Sequence, residues 1–301
     1  MRIVVTGRTG QVVSALGQRA SLAPDVTVVA LGRPELDLAD EAGIAAALAA
    51  SAPEVIVSAA AYTAVDQAES EPELAERVNG AGAGAVAAAA KALGVPVIHL
   101  STDYVFDGAK PAPYVESDAV GPVSAYGRSK LSGERAVASA NPDHAILRTA
   151  WVYAPEGKNF VRTMLRLAAT RPELSVVADQ HGCPSYAPDI ADAVIAVARR
   201  LLAEPDNRAL RGTFHLGGTG STDWASFAEA IFAESARRGG PSASVRRIGT
   251  ADYPTPARRP ANSRLDCGKL GRAYGIAMPH WSDALARCMD QLEQDGALSA
   301  S

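Results

Sequence analysis

Five short runs of apolar, mostly β-branched residues recur along the first half of the chain, at 3–5, 26–31, 55–59, 95–101 and 144–149. Stretches of helical character lie between them, among them 12–20 and the alanine-rich 41–50 and 80–93. Short apolar runs bounded by turns predict strands, and the longer alanine-rich stretches predict helices. Alternation of the two predicts a parallel sheet, because each parallel pair needs a crossover and the crossover helices cover the faces. The fold class is therefore α/β, a Rossmann-type doubly wound parallel sheet. After about residue 150 the pattern becomes irregular and richer in Pro and Arg, with Tyr253-Pro-Thr-Pro-Ala-Arg-Arg-Pro260 as the clearest loop. Two later stretches, 185–202 and 212–216, again read as helix and strand of the main sheet. The expected division is discontinuous: residues 1–150 with about 185–216 in one domain, and about 151–184 with 217–301 in a smaller α/β lobe.

The first strand runs into Thr6-Gly7-Arg-Thr-Gly10-Gln11-Val12, a glycine turn that opens a helix. Two glycines let the backbone turn tightly and approach a pyrophosphate, which the amides and dipole of the following helix would meet. Val13 stands where a third glycine is expected, so the motif is incomplete; its place after the first strand still marks 1–150 as a dinucleotide-binding domain. In such sheets ligands lie beyond the carboxyl ends of the strands. Ala59-Ala60-Ala61-Tyr62 and Ser101-Thr102 fall there, on the same crevice.

Tyr126-Gly-Arg-Ser-Lys130 adds chemistry to that crevice. Residues four apart on a helix project from one face, so an ammonium can sit beside the phenol and favour its ionised form. Tyr126 would then be a proton donor for carbonyl reduction, with Lys130 as its electrostatic partner. Composition narrows the alternatives. With 301 residues, 48% of them hydrophobic, the chain can bury a large core and divide into two lobes. A net charge of −4 without a long basic run suggests neither nucleic acid nor an anionic membrane as partner. No apolar stretch approaches a membrane span and the start lacks a signal-peptide pattern, so the expected location is the cytoplasm. Cys183, Cys267 and Cys288 are widely separated, and the five histidines lack ligand spacing; neither a disulfide framework nor a metal site is expected.

Taken together, these motifs resemble the extended short-chain dehydrogenase/reductases. The segments that carry the resemblance are Gly7-Arg-Thr-Gly10-Gln11, Leu36-Asp37-Leu38, Ala59-Ala-Ala-Tyr-Thr-Ala-Val-Asp66, Val78-Asn79, Ser101-Thr-Asp-Tyr-Val-Phe-Asp-Gly108 and Tyr126-Gly-Arg-Ser-Lys130. Further on they are Arg148-Thr-Ala-Trp151-Val-Tyr153, Asp179-Gln-His-Gly-Cys-Pro-Ser185 and Arg259-Pro-Ala-Asn-Ser-Arg-Leu265. Ser58, where asparagine is common, Ser185, where threonine is common, and Val13 are departures. The resemblance is strongest to members that reduce a nucleotide-linked keto sugar. It implies hydride transfer from a nicotinamide to the C4 ketone of a dTDP-linked 6-deoxy-4-keto sugar, in the route to dTDP-L-rhamnose and surface polysaccharide. It further implies proton donation by Tyr126 and a hydrogen bond from Thr102 to the same oxygen. Lys130 would hold the cofactor ribose and lower the Tyr126 pKa.

The same resemblance implies cofactor contacts by Gly7, Gly10, Gln11, Val12, Asp37, Leu38, Ala60, Ala61, Tyr62 and Thr63 besides Tyr126 and Lys130, and sugar contacts by Asp103 and Trp151. Tyr104 follows Asp103 where related dehydratases carry a glutamate, which favours plain reduction over loss of water. Arg33 at the end of the second strand, with no acid beside it until Glu35, favours NADPH over NADH, because a guanidinium suits a 2′-phosphate. Arg259, with Arg258, is a candidate grip for the substrate pyrophosphate. A homodimer is compatible with the resemblance. Alternatives are an epimerase or reductase for another nucleotide-linked 4-keto sugar, and a non-catalytic regulatory subunit of the methionine adenosyltransferase type.

Overall fold

The computed structural model describes residues 1–298, and its centre is the expected α/β sheet. In chain order the first elements are β1 (Arg2–Thr6), α1 (Gln11–Ser21), β2 (Thr27–Leu31), α2 (Glu41–Ala50), β3 (Val55–Ser58), α3 (Pro72–Glu76), α4 (Gly82–Leu93), β4 (Val97–Thr102), α5 (Ala125–Ala140) and β5 (His144–Thr149). The chain continues through β6 (Val152–Tyr153), α6 (Phe160–Ala168), β7 (Glu173–Val177), β8 (His181–Gly182), β9 (Ser185–Tyr186), α7 (Ala187–Ala203) and β10 (Gly212–His215). It ends with β11 (Thr222–Asp223), α8 (Trp224–Arg237), β12 (Ser244–Ile248), α9 (Gly268–Tyr274) and α10 (Trp281–Gln294).

Six strands pair in the order β10-β5-β4-β3-β1-β2, every pairing parallel. The order reverses between β1 and β3, which is where an open parallel sheet leaves a crevice at its carboxyl edge. One face carries α1 and α7, packed on Ile3, Val5, Val57, Ile98 and Leu147. The other carries α2, α4 and α5, packed on Val4, Ile56, Val97 and Ile146. Both faces being covered is why these strands are continuous apolar runs. The helix expected over 80–93 begins earlier: α3 leads through one π-helical turn, Arg77–Ala81, into α4. That extra residue in the turn brings Asn79 to the crevice, a common use of π-bulges.

The rest of the chain has its own core, in which Tyr153, Val161, Phe227, Ile231, Leu285 and Met289 are buried together. Its strands form three two-stranded pieces, β7 with β12, β6 with β9, and β8 with β11. Leu270, Tyr274 and Met278, although late in the chain, pack into the core of the main sheet. No described helix is long and apolar enough to cross a membrane.

Candidate active site

At the switch point the glycine turn adopts the shape its sequence requires. Gly7 has φ +105°, and a Cβ there would come within 3.3 Å of Val13 and 3.6 Å of Ala60. Val13 is itself buried in the core, so the valine at the third glycine position fills space below the turn. Helix α1 starts at Gln11 after Gly10, with no side-chain cap and no acid in its first turn. Its first amides and dipole are therefore free to receive an anion. Thr6 Oγ1 accepts from the backbone N–H of Ala59 and of Ala60, at 3.0 Å each, and so fixes the loop after β3 beside the turn. Asn79 fixes the loop further along: its side chain accepts from Tyr62 N at 2.7 Å and donates to Tyr62 O at 3.0 Å and to Ser129 Oγ at 2.9 Å. Ala60, Ala61 and Tyr62 thus line one wall, with Thr63 exposed beyond them. Neither clamp was legible in the sequence, although Asn79 lies in one of its motifs.

At the far end of this crevice Leu38 is buried and packs in the core below α2 and α4. Asp37 accepts from the N–H of Ala39. Arg33 is exposed. Arg8, which the sequence reading passed over, lies across the end of β2 and forms an ion pair with Glu35. Gln11 and Val12 are half-buried, and Gln11 accepts from Asn159 at 3.0 Å, tying the turn to the loop before α6.

The reacting groups gather above the ends of β4 and α5. Ser124 caps α5 by accepting from Gly127 N at 3.1 Å, which places Tyr126 in the first turn and Lys130 one turn on. Gly127 allows the close approach: a Cβ there would lie 2.3 Å from the carbonyl oxygen of Tyr104. The Thr102 hydroxyl lies beside the Tyr126 phenol and favours its ionised form. Thr102 Oγ1 gives its own proton to Asp103 Oδ1 at 2.9 Å and accepts from Tyr104 N at 3.2 Å. Asp103 is buried with Oδ2 unpartnered, and burial pushes its carboxyl up to about 6 against hydrogen bonds from Ser263 and Thr102.

One expectation is corrected here. Burial raises the Tyr126 pKa, Asp103 and Tyr104 add to the rise, only Thr102 opposes it, and the Lys130 charge has no part in the shift. The reason is direction: the Lys130 ammonium donates to the carbonyl of Leu100 at 2.7 Å and faces His99 Nε2 at 3.4 Å. Burial lowers Lys130 to about 8, while the charge of Glu134 raises it. Tyr126 is accordingly a neutral phenol at physiological pH, the form a proton donor needs.

The rim is built from both parts of the chain. Trp151 has φ +49° and stacks on Trp224 with ring centroids 3.4 Å apart and planes 7° from parallel. A Cβ on Gly182 would strike the Trp151 ring at 2.3 Å, so glycine is required opposite it. Arg259 reaches across to donate to Asp66 Oδ2 at 2.6 Å and to Tyr104 OH at 3.1 Å, while Arg258 is exposed. The Arg259 charge is therefore already met by Asp66, and Tyr104 in turn meets Tyr126 edge-on at 5.6 Å. Among the described residues no group of three or more His, Cys, Asp or Glu side chains could hold a metal ion.

Comparison with known proteins places this geometry in a context. The family profile described as RmlD substrate binding domain matches residues 1–294. The dTDP-4-dehydrorhamnose reductase of Sinorhizobium fredii (strain NBRC 101917 / NGR234) is 56% identical over 296 residues, 98% of this chain and 99% of its own. That of Escherichia coli (strain K12) is 42% identical over 298 residues, 97% and 98% of the two chains. Among solved structures, a dTDP-4-dehydrorhamnose reductase from Clostridium acetobutylicum matches with TM-score 0.88 and 36% identity, covering 97% of this chain and 100% of its own. One from Bacillus anthracis, in complex with NADP, matches with TM-score 0.86 and 34% identity over 96% and 99%.

Proposed function

The chain belongs to the family of dTDP-4-dehydrorhamnose reductases described as RmlD substrate binding domain, and from that premise we propose how its own residues carry the reaction. It is an NAD(P)H-dependent oxidoreductase of dTDP-rhamnose and polysaccharide biosynthesis, reducing the C4 ketone of dTDP-4-dehydro-L-rhamnose to dTDP-L-rhamnose. When bound, the reduced nicotinamide supplies the hydride that the ketone carbon accepts.

The proton comes from Tyr126. As negative charge develops on the ketone oxygen, the phenol transfers its proton there, and Thr102 turns its hydroxyl from Asp103 to donate a second hydrogen bond. Asp103 keeps Thr102 aimed until that moment. Lys130 would hold the cofactor ribose when the nicotinamide dinucleotide is bound. The observation that carries this reading is the phenol of Tyr126, kept protonated by burial and set beside Thr102 at the carboxyl end of β4.

The crevice suits a dinucleotide on the evidence of its backbone. Gly7 and Gly10 offer the pyrophosphate a close approach to the backbone, and Gln11 and Val12 an uncapped helix start. Ala60, Ala61, Tyr62 and Thr63 line the wall that Thr6 and Asn79 pin, and Asp37 with Leu38 border the adenine end. Arg33 is free in solution and Arg8 is held by Glu35; both guanidiniums can serve a 2′-phosphate, which supports NADPH over NADH. The lobe formed by about 151–184 and the residues after 217 that do not pack on the main sheet would hold the sugar nucleotide, with Trp151 against the deoxysugar. For Arg259 to grip a pyrophosphate it must release Asp66, so its first role is to hold Tyr104 at the rim.

The test is the loss of reduced-nicotinamide absorbance when the protein meets NADPH, dTDP-4-keto-6-deoxyglucose and the preceding 3,5-epimerase. Oxidation that requires the epimerase and collapses in Tyr126→Phe is the expected result. No oxidation with NADPH or NADH, despite tight cofactor binding, would reject the assignment.

A further inference from the structure

Lys130 is almost wholly buried, 3% exposed, and a buried ammonium must find acceptors for its protons. One is the Leu100 carbonyl at 2.7 Å; the other is Nε2 of His99 at 3.4 Å. His99 is 1% exposed on β4 and is paired in register with Ser58 of β3, whose Oγ lies 3.1 Å from His99 Nδ1. These contacts fix the tautomer. An ammonium only donates, so Nε2 must carry the lone pair, the ring proton must sit on Nδ1, and Ser58 Oγ must accept it.

We propose that His99 is a positioning residue of the reductase site, its Nε2 holding the Lys130 ammonium in place and charged, with Ser58 locking the ring in the Nδ1–H tautomer. The inference rests on the reading that Lys130 serves the reaction. The groups that bear on this pair are few. Lys130 and His144 both oppose a charge on His99, burial opposes it more strongly, and Glu134 favours the charge on Lys130. His99 therefore stays neutral while Lys130 titrates, and the histidine acts as an acceptor and not as an acid. Hydrogen bonding to a charged form favours that form, so the contact offsets part of what burial costs the ammonium.

The experiment reads Lys130 directly in the cofactor-free protein. The chain has five lysines, so lysine labelled with ¹³C at Cε gives few signals to assign by Lys130→Met. In folded His99→Leu the Lys130 titration midpoint should fall by about one pH unit. It should fall less in Ser58→Ala and recover in His99→Gln, whose amide oxygen can accept. The basic limb of kcat/KM against pH should move with the midpoint, and ¹⁵N-labelled histidine should show His99 as the Nδ1–H tautomer. An unchanged midpoint in His99→Leu with native circular dichroism, or an Nε2–H tautomer, would overturn the proposal. Full turnover by Lys130→Met would instead reject the role of Lys130 itself, a separate failure.

Discussion

At the Tyr126 end of the crevice Thr102, Asp103 and Lys130 are held by buried neighbours, whereas at the Arg8 end the charged groups stand half in water. Thr102, Asp103 and Lys130 are each at most 6% exposed, and beneath them Glu134 and Arg148 form a two-pronged buried ion pair joined by Ser101. Arg8 and Glu35 are 46% and 53% exposed. Buried pairs depend strongly on geometry because the loss of one partner strands the other in a medium that solvates it poorly; exposed pairs fall back on water. Changes at the first end should therefore be large and at the second small.

The comparison is tested hardest by Tyr126→Phe, which removes only the phenolic hydroxyl. With the fold intact, kcat should fall by about 10²–10⁴-fold with little change in cofactor affinity, measured by fluorescence titration. Retained turnover would mean that another group supplies the proton. Next comes Glu134→Ala, which strands Arg148 between β5 and α5. Unfolding by denaturant should show a loss of about 3–5 kcal/mol, as for other broken buried pairs.

Asp103→Asn should act in the opposite sense. The Asp103 carboxyl is pushed up to about 6 from an ordinary 3.8, so the folded state favours its neutral form. The resulting stability is fully present below pH 4 and is lost as the pH rises through 6. An amide removes the penalty that remains above pH 6, by roughly 3 kcal/mol at most. Asp103→Asn should thus melt higher than the parent at pH 8 and no higher at pH 4. Equal gains at both pH values would show that charge is not the cause.

The same contrast explains what could be read from the chain alone. The main sheet was legible because strands buried on both faces are unbroken apolar runs, such as Ile3-Val4-Val5 and Val55-Ile56-Val57. The second lobe was not, since β6, β8, β9 and β11 are two residues long and carry no periodicity. Thr102, Tyr126 and Lys130 could be nominated because strand end and helical turn fix their spacing. Where the Lys130 ammonium points could not, because it depends on His99 and Leu100, 30 or more positions away. The Asn79 clamp is likewise a long-range contact, set by a π-helical turn.

The smallest effect is expected where water competes, and its sign is informative. Glu35 engages Arg8 at the end of β2, and backbone hydrogen bonding, then Arg8, holds its carboxyl below the usual range. A 2′-phosphate would have to draw Arg8 away from that carboxylate. Replacing Glu35 by glutamine frees the guanidinium, so KM for NADPH should fall roughly two- to fivefold while KM for NADH stays constant. Added salt should erase the difference, because screening weakens exposed charge pairs first. If Glu35→Gln improves both cofactors alike, Arg8 does not read the 2′-phosphate, and the preference for NADPH would rest on Arg33; Arg33→Ala would then raise KM for NADPH alone.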